Sequence, residues 1–242
     1  MLPSEAVEER LARRPEAIRG MFAAVAPRYD LLNRLLSLRQ DVRWRRRMTA
    51  ALGAAPPGPV LDLATGTGDV ALAISRRRVT GVDFCVDMLA LAAAKARRRR
   101  RAIRWVAADG LALPFPASAF AAVTVAFGVR NFADLGTGLA EIRRVLLPGG
   151  VLAILEFQPP RRRAVRAALR AWNRLVLAPL GSLLSGDPAA YAYLPASVDT
   201  FPDAGALARA VQAAGFGLDG SRELSGGIVA LTVARAPLRE VA

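Results

Sequence analysis

The sequence predicts one doubly wound α/β domain, and three observations carry that prediction. Five short apolar runs, Val60–Ala64, Val79–Asp83, Ile103–Ala107, Ala121–Phe127 and Val151–Phe157, have the length and β-prone character of buried strands. Most are separated by segments that can hold a helix, at 69–77, 87–100 and 134–147. Such alternation implies parallel strands joined by right-handed crossovers. The 242 residues, 53% hydrophobic, suit a single large domain with a sizeable core, and neither an internal repeat nor a long linker divides them.

Residues 1–55 read as a basic helical cap, with Met21, Val25, Leu31, Leu35 and Leu38 set among arginines. Pro56-Pro57-Gly58-Pro59 then punctuates the chain. The strand-rich core follows over 56–158. Leu146-Leu147-Pro148-Gly149-Gly150 ends a helix and turns into the fifth strand. Residues 159–200 make a lid or substrate segment whose first part, 161–184, is basic, apolar and helical. Residues 201–242 hold a helix near 203–214 and two further strand candidates, 216–223 and 227–235. Leu111–Val129 is 19 residues without a charge, long enough to test as a membrane span. Pro114 and Pro116 break its first half and Val123–Phe127 is β-prone, so it reads as a turn into a buried strand.

Lysine and arginine number 34 against 20 acids, a net +14. Lys95 is the lone lysine; the arginine bias, with abundant alanine, glycine and proline, matches GC-rich codon usage. Part of the charge is therefore compositional, and part is affinity for phosphate or anionic lipid. A nucleic-acid partner is not expected. Histidine is absent, which removes the commonest general base and the commonest zinc ligand. With one cysteine, Cys85, no disulfide framework forms, and no metal site is expected. No signal-like segment opens the chain, so a cytoplasmic setting is expected.

The segment Val60-Leu-Asp-Leu-Ala-Thr-Gly-Thr-Gly-Asp69 carries the most chemistry. A buried strand enters a loop where Gly66 and Gly68 let backbone approach a ligand. Gly66-x-Gly68-x-x-Ala71 also satisfies the dinucleotide pattern, so the neighbours must decide. Asp62 at the strand end and Asp69 in the loop disfavour a pyrophosphate and favour a cationic ligand such as a sulfonium with an ammonium. Asp83 ends the second strand and can take both ribose hydroxyls. It lies 15 residues after Gly68, shorter than the roughly 20 of dinucleotide sites. Asp109 follows the third strand, where its carboxylate can accept from an adenine amino group. The alternative is that these acids only cap helices.

Further motifs identify a resemblance. They are Ala26-Pro-Arg-Tyr-Asp-Leu-Leu-Asn33, Gly81-Val-Asp-Phe84, Ala112-Leu-Pro-Phe-Pro116, Phe127-Gly-Val-Arg-Asn-Phe132, Arg144-Val-Leu-Leu-Pro-Gly-Gly150, Ser185-Gly-Asp-Pro188, Tyr191-Ala-Tyr-Leu-Pro195 and Gly226-Gly-Ile-Val-Ala230. With the glycine-rich loop, these make the chain resemble, over nearly its whole length, the menaquinone/ubiquinone biosynthesis C-methyltransferases, most of all their demethylmenaquinone branch. The resemblance implies a class I methyltransferase (Rossmann-like) fold: seven strands, mostly parallel, with one antiparallel strand near the C-terminus. It implies S-adenosyl-L-methionine as cofactor, leaving as S-adenosyl-L-homocysteine. The implied cofactor residues are Gly66, Thr67, Gly68, Asp83, Asp109 and Gly110, and Ala126 on the fourth strand offers only backbone or van der Waals contact.

The implied reaction puts a methyl group on a ring carbon of a reduced naphthoquinone in menaquinone biosynthesis. Precursors of ubiquinone or phylloquinone remain alternatives, and a nucleic-acid methyltransferase a more distant one. Arg130 is expected near the transferred methyl, holding the substrate phenolate or orienting a water, with Asn131 on the other ring oxygen. The structural alternative pairs Arg130 with an acid and uses Asn131 as a helix cap. Tyr29, Asp30, Asp187, Tyr191 and Tyr193 are candidates for a pocket wall or lid. A lipid quinol substrate implies contact with an anionic membrane at the inner face of the cell membrane. Arg161–Arg163, Arg166, Arg170 and Arg174, alternating with Val165, Leu169, Trp172, Leu175, Val176, Leu177 and Leu180, suit such contact or form an ordinary lid helix. Homodimerisation is left open.

Overall fold

Seven strands form one sheet in the order β3-β2-β1-β4-β5-β7-β6. They are β1 (Val60–Leu63), β2 (Val79–Asp83), β3 (Arg104–Ala107), β4 (Phe120–Ala126), β5 (Leu146–Phe157), β6 (Gly217–Leu224) and β7 (Val229–Arg235). The computed structural model describes residues 3–12, 14–177, 179 and 188–238. β7 is antiparallel to both β5 and β6, while β1, β2, β3, β4 and β5 pair in parallel. That is the doubly wound sheet with one antiparallel strand read from the sequence.

Every residue of β1 and β2 is buried, because helices cover both faces, and so these strands read as continuous apolar runs rather than alternating ones. On one face Leu61, Leu63, Val123 and Leu152 pack with α7 (Leu135–Val145) and α10 (Ala204–Ala213). On the other, Val60, Ala122, Val151 and Leu231 pack with Trp44 and Met48 of α4 (Gln40–Ala51). Asp134 starts α7 by accepting from the Thr137 amide at 2.5 Å, and Asp203 starts α10 by accepting from the Ala206 amide at 2.8 Å.

Of the N-terminal helices, α4 covers a face of the sheet, while α1 (Pro3–Leu11), α2 (Pro15–Val25) and α3 (Tyr29–Leu36) form the cap. Ile18 and Met21 of α2 meet Met88 of α6 (Val86–Arg98) and Tyr193 of α9 (Pro188–Thr200) in a third apolar cluster. That cluster holds the cap over the carboxyl end of the sheet.

Two local expectations change. The helix expected at 69–77 is the shorter α5 (Asp69–Ala73). The Leu-Leu-Pro-Gly-Gly segment is not a separate turn but the irregular start of β5, with a register shift between Phe120 and Ala122 on β4. The helical stretch expected over 161–184 is, within the described residues, α8 (Arg163–Trp172), which buries none of its residues, continued by a π-helical turn at Asn173–Leu177; residues 178 and 180–184 lie outside them. Leu180 and Asp187 lie outside the described residues, as does the Tyr191 side chain. Among the described residues no helix is long and apolar enough to cross a membrane.

Candidate active site

β1 leads toward β2 on one side and neighbours β4 on the other, so the strand order reverses between β1 and β4. In open α/β sheets ligands bind in the crevice at that point. Here the crevice is a cavity walled by the residues that follow β1 to β4: Ala64 and Gly66, Asp83 and Phe84, Asp109 and Gly110, and Phe127, Gly128, Asn131 and Phe132. Ile18, Phe22 and Tyr29 of the cap close it from above. Ala64 and Phe127 take left-handed backbone, with φ of 52° and 59°. Strained non-glycine residues of this kind cluster at functional sites.

Of the residues singled out from sequence, Gly66, Asp83, Asp109, Gly110 and Asn131 line this cavity, as does Ala126. Thr67, Gly68 and Arg130 are not among its lining residues. The Asp83 carboxylate accepts from the Gly66 amide at 2.8 Å and the Cys85 amide at 2.9 Å. Burial pushes its pKa up, against the pull of these backbone donors. Asp109 accepts from the Leu111 amide at 2.9 Å.

Gly68 serves packing. Its φ is 81°, and a Cβ there would stand 2.7 Å from the Trp105 ring, which also covers Gly81. At Gly66, by contrast, the nearest atom to an added Cβ is on Tyr29 at 3.9 Å, so the missing side chain opens the cavity.

The acids expected to attract a cationic ligand are engaged elsewhere. Asp62 is fully buried. It accepts from the hydroxyls of Thr65 at 2.5 Å and Thr124 at 2.7 Å and from the Ala71 amide at 3.1 Å. Burial outweighs those bonds and raises its pKa to about 6. Asp69 sits in an ion network that clamps the cap to the glycine-rich loop. Lys95 bridges Asp69 and Asp30, each at 2.6 Å, and donates to Thr67 at 3.1 Å, while the Thr67 hydroxyl donates to Asp30 at 2.5 Å. Arg34 binds Asp69 at 2.7 Å and also reaches Asp41, which Arg45 holds at 2.5 Å. Despite burial, Arg45 and Lys95 hold the Asp69 pKa down to about 2. Asp69, at the start of α5, is thus neutralised by Arg34 and Arg45 from the N-terminal helices and by Lys95 from α6.

Arg130 is buried, and its Nη1 donates to Glu156 on β5 and to the Phe127 carbonyl, both at 2.7 Å. Burial opposes its charge, and the Glu156 carboxylate more than compensates, so its pKa is raised. Its Nε is buried without a hydrogen-bond partner. The guanidinium stands over the Phe157 ring, 5.7 Å from the centroid. Neighbouring Asn131 accepts at Oδ1 from the Tyr193 hydroxyl, 2.7 Å away. Asp134, not Asn131, caps α7. At Tyr29, burial raises the phenol pKa while Arg45, a bond to Asn33 and Arg130 lower it. Arg130 thus stands directly behind the cavity wall, bound to the carbonyl of Phe127, which lines it.

Sequence reasoning missed Lys95, Glu156 and Arg45. Lys95 carried a signal, as the lone lysine among 34 basic residues. Glu156 carried a weaker one, as a charge inside the apolar run that became β5.

The wall chemistry fits S-adenosylmethionine. A buried carboxylate at the end of β2 suits a ribose diol, and Asp109 suits an amino group. Phe84, Met88, Leu111 and Phe132 offer apolar sides for an adenine.

Residues 9–235 match the ubiE/COQ5 methyltransferase family. A demethylmenaquinone methyltransferase from Thermus thermophilus is 52% identical over 200 residues, covering 81% of this chain and 91% of that protein. One from Deinococcus radiodurans is 49% identical, covering 83% and 85%. Among solved structures, an S-adenosylmethionine-dependent methyltransferase from Aquifex aeolicus superposes with a TM-score of 0.58 at 16% identity, covering 79% of this chain and 89% of that one, a likeness of fold alone.

Proposed function

The chain belongs to the ubiE/COQ5 methyltransferase family and is an S-adenosylmethionine-dependent methyltransferase, and on that premise we propose that it C-methylates a reduced demethylmenaquinone, converting 2-demethylmenaquinol to menaquinol. The observation that carries this reading is the 52% identity, over four-fifths of the chain, with a protein of that name.

When bound, S-adenosylmethionine supplies a methyl group activated on a sulfonium. Asp83 would hold the ribose hydroxyls, Asp109 and Gly110 the adenine, and Gly66, Thr67 and Gly68 the backbone bed of the loop. Asp30 and Lys95 lock Thr67 and so keep that bed rigid.

The quinol needs one hydroxyl ionised, its proton passing to solvent, before its adjacent ring carbon becomes nucleophilic; that carbon would take the methyl group as the sulfur–methyl bond breaks and S-adenosylhomocysteine leaves, then lose its hydrogen to solvent as a proton while the ring regains aromaticity. The chain assists by electrostatics. With the Tyr193 hydroxyl donating to Oδ1, Asn131 has its Nδ2 hydrogens to offer a ring oxygen. Arg130 would act through its field rather than by contact, favouring the phenolate as it favours ionisation of Tyr29. Glu156 fixes its position and tempers its charge.

A lipid quinol is met at a membrane. The α8 helix, with every arginine exposed and no buried residue, supports contact with an anionic surface. A panel assay tests the substrate. Labelled methyl donor is offered with a short-chain demethylmenaquinol, a ubiquinone-pathway precursor, or bulk RNA. The label is expected in the naphthoquinol. Label in RNA, with none in any quinol, would overturn the proposal.

A further inference from the structure

Six large apolar side chains stand exposed among the described residues, and three of them share one short stretch: Leu31 at 62%, Leu35 at 45% and Leu38 at 67%. Leu31 and Leu35 lie one turn apart on α3, so they stack on one face, while Leu32 turns inward and is buried. Leu38 follows just past the helix end. It and Arg39 have left-handed backbone, with φ of 49° and 61°, a conformation unfavourable to residues with a side chain. The bend is tied by the Arg39 amide to the Arg34 carbonyl at 2.8 Å. Its effect is to hold a leucine in solvent.

The exposed charge of residues 28–47 is one-sided. Arg28, Arg39, Arg43, Arg46 and Arg47 are exposed. The two acids of the same stretch, Asp30 and Asp41, are engaged by Lys95 and by Arg34 and Arg45. The stripe also begins at the site, because Tyr29, the first residue of α3, lines the cavity.

We propose that this face, residues 28–47, is a membrane-docking edge that seats the cavity mouth against an anionic phospholipid bilayer. Leucines would enter the acyl boundary while the arginines meet lipid phosphates. A second copy of the chain fits less well, since a two-fold interface would set this arginine-rich face against itself. Docking is independent of the substrate; only its purpose, access to a lipid quinol, rests on the function proposed above.

Vesicle pelleting tests the edge. The full chain is mixed with vesicles of equal parts phosphatidylcholine and phosphatidylglycerol, or of phosphatidylcholine alone. Wild-type protein should pellet with the anionic vesicles and be released by salt. The Leu31→Ser/Leu35→Ser/Leu38→Ser variant should lose about tenfold or more in vesicle affinity. Arg39→Gln/Arg43→Gln/Arg46→Gln, a charge-only change that leaves the apolar stripe intact, should lose about fivefold per arginine. Both should methylate a short-tailed quinol at the wild-type rate. Undiminished pelleting of both variants overturns the proposal. So does sedimentation velocity in which the leucine variant abolishes a dimer while its vesicle binding is unchanged, which would make the face a self-association surface. Vesicle binding lost as expected, with no quinol methylated even by wild type, would leave the docking edge standing and refute the substrate.

Discussion

The buried guanidinium of Arg130 is held against Glu156 at 2.7 Å, behind the cavity wall that Phe127 and Asn131 help to form. An ion pair there supplies a fixed positive field whose strength its own partner limits. Glu156→Gln removes the opposing charge, so the acid limb of the kcat–pH profile should move to lower pH, since the substrate phenolate forms more easily. Arg130→Ala should lower methyl transfer by roughly tenfold, less than the hundredfold of a lost direct donor, and cost about 3–5 kcal/mol of stability, because it leaves Glu156 buried and unpaired. Lysine should restore the rate only in part. An unmoved pH profile in Glu156→Gln would make the pair purely structural.

Tyr193→Phe removes the hydroxyl that orients Asn131 while keeping the ring that packs against Ile18 and Met88. The loss of one hydrogen bond, about 0.5–1.5 kcal/mol, should lower kcat by roughly two- to tenfold. Affinity for S-adenosylhomocysteine should hold. Equal loss of kcat and cofactor affinity would mean that the helix, not the amide, has been disturbed.

Asp83→Ala should weaken binding of S-adenosylhomocysteine by about ten- to a hundredfold, the scale of losing charged hydrogen bonds. Isothermal titration calorimetry reads it directly. Since Asp83 also holds the Gly66 amide, part of the loss comes through the loop. Asp83→Asn, which keeps an acceptor there, should fall between the two. An unchanged dissociation constant in both would reduce Asp83 to a cap of the strand end.

Asp62 makes stability depend on pH in an unusual direction. Its folded pKa, about 6 against an ordinary 3.8, means that the folded protein binds more protons than the unfolded chain between those values. Stability then falls as pH rises through that window, by about 3 kcal/mol from this group. Denaturant unfolding at about pH 4 and about pH 7, on either side of most of that window, should show the decline in wild type and a flatter line in Asp62→Asn. The same slope in both proteins would place the carboxylate elsewhere on the titration scale.

Strands were legible because the central ones are buried on both faces and therefore read as unbroken apolar runs. Gly66, Asp83, Asp109, Gly110 and Asn131 converge for a related reason: each lies at or just past the end of a parallel strand, and parallel ends point one way. What sequence could not carry was partnership across distance. Glu156 finds Arg130 from 26 positions away on β5. Asp69, which looks like a loop acid awaiting a cation, already has Lys95 and Arg34. Gly68, whose backbone stands in the proposed cofactor loop, also seats the Trp105 ring that arrives from β3. In each case the local pattern was right and the occupant of the space came from another element.

The measurement that bears most directly on the proposed chemistry compares the two redox forms of one substrate. Labelled S-adenosylmethionine is offered with the reduced and the oxidised form of a short-chain demethylmenaquinone, under anaerobic conditions that keep them separate. Only the quinol should take up the methyl group, because the oxidised ring has no hydroxyl to ionise and its carbons are electrophilic. Equal turnover of both forms, or turnover of the quinone alone, would contradict methylation through a phenolate.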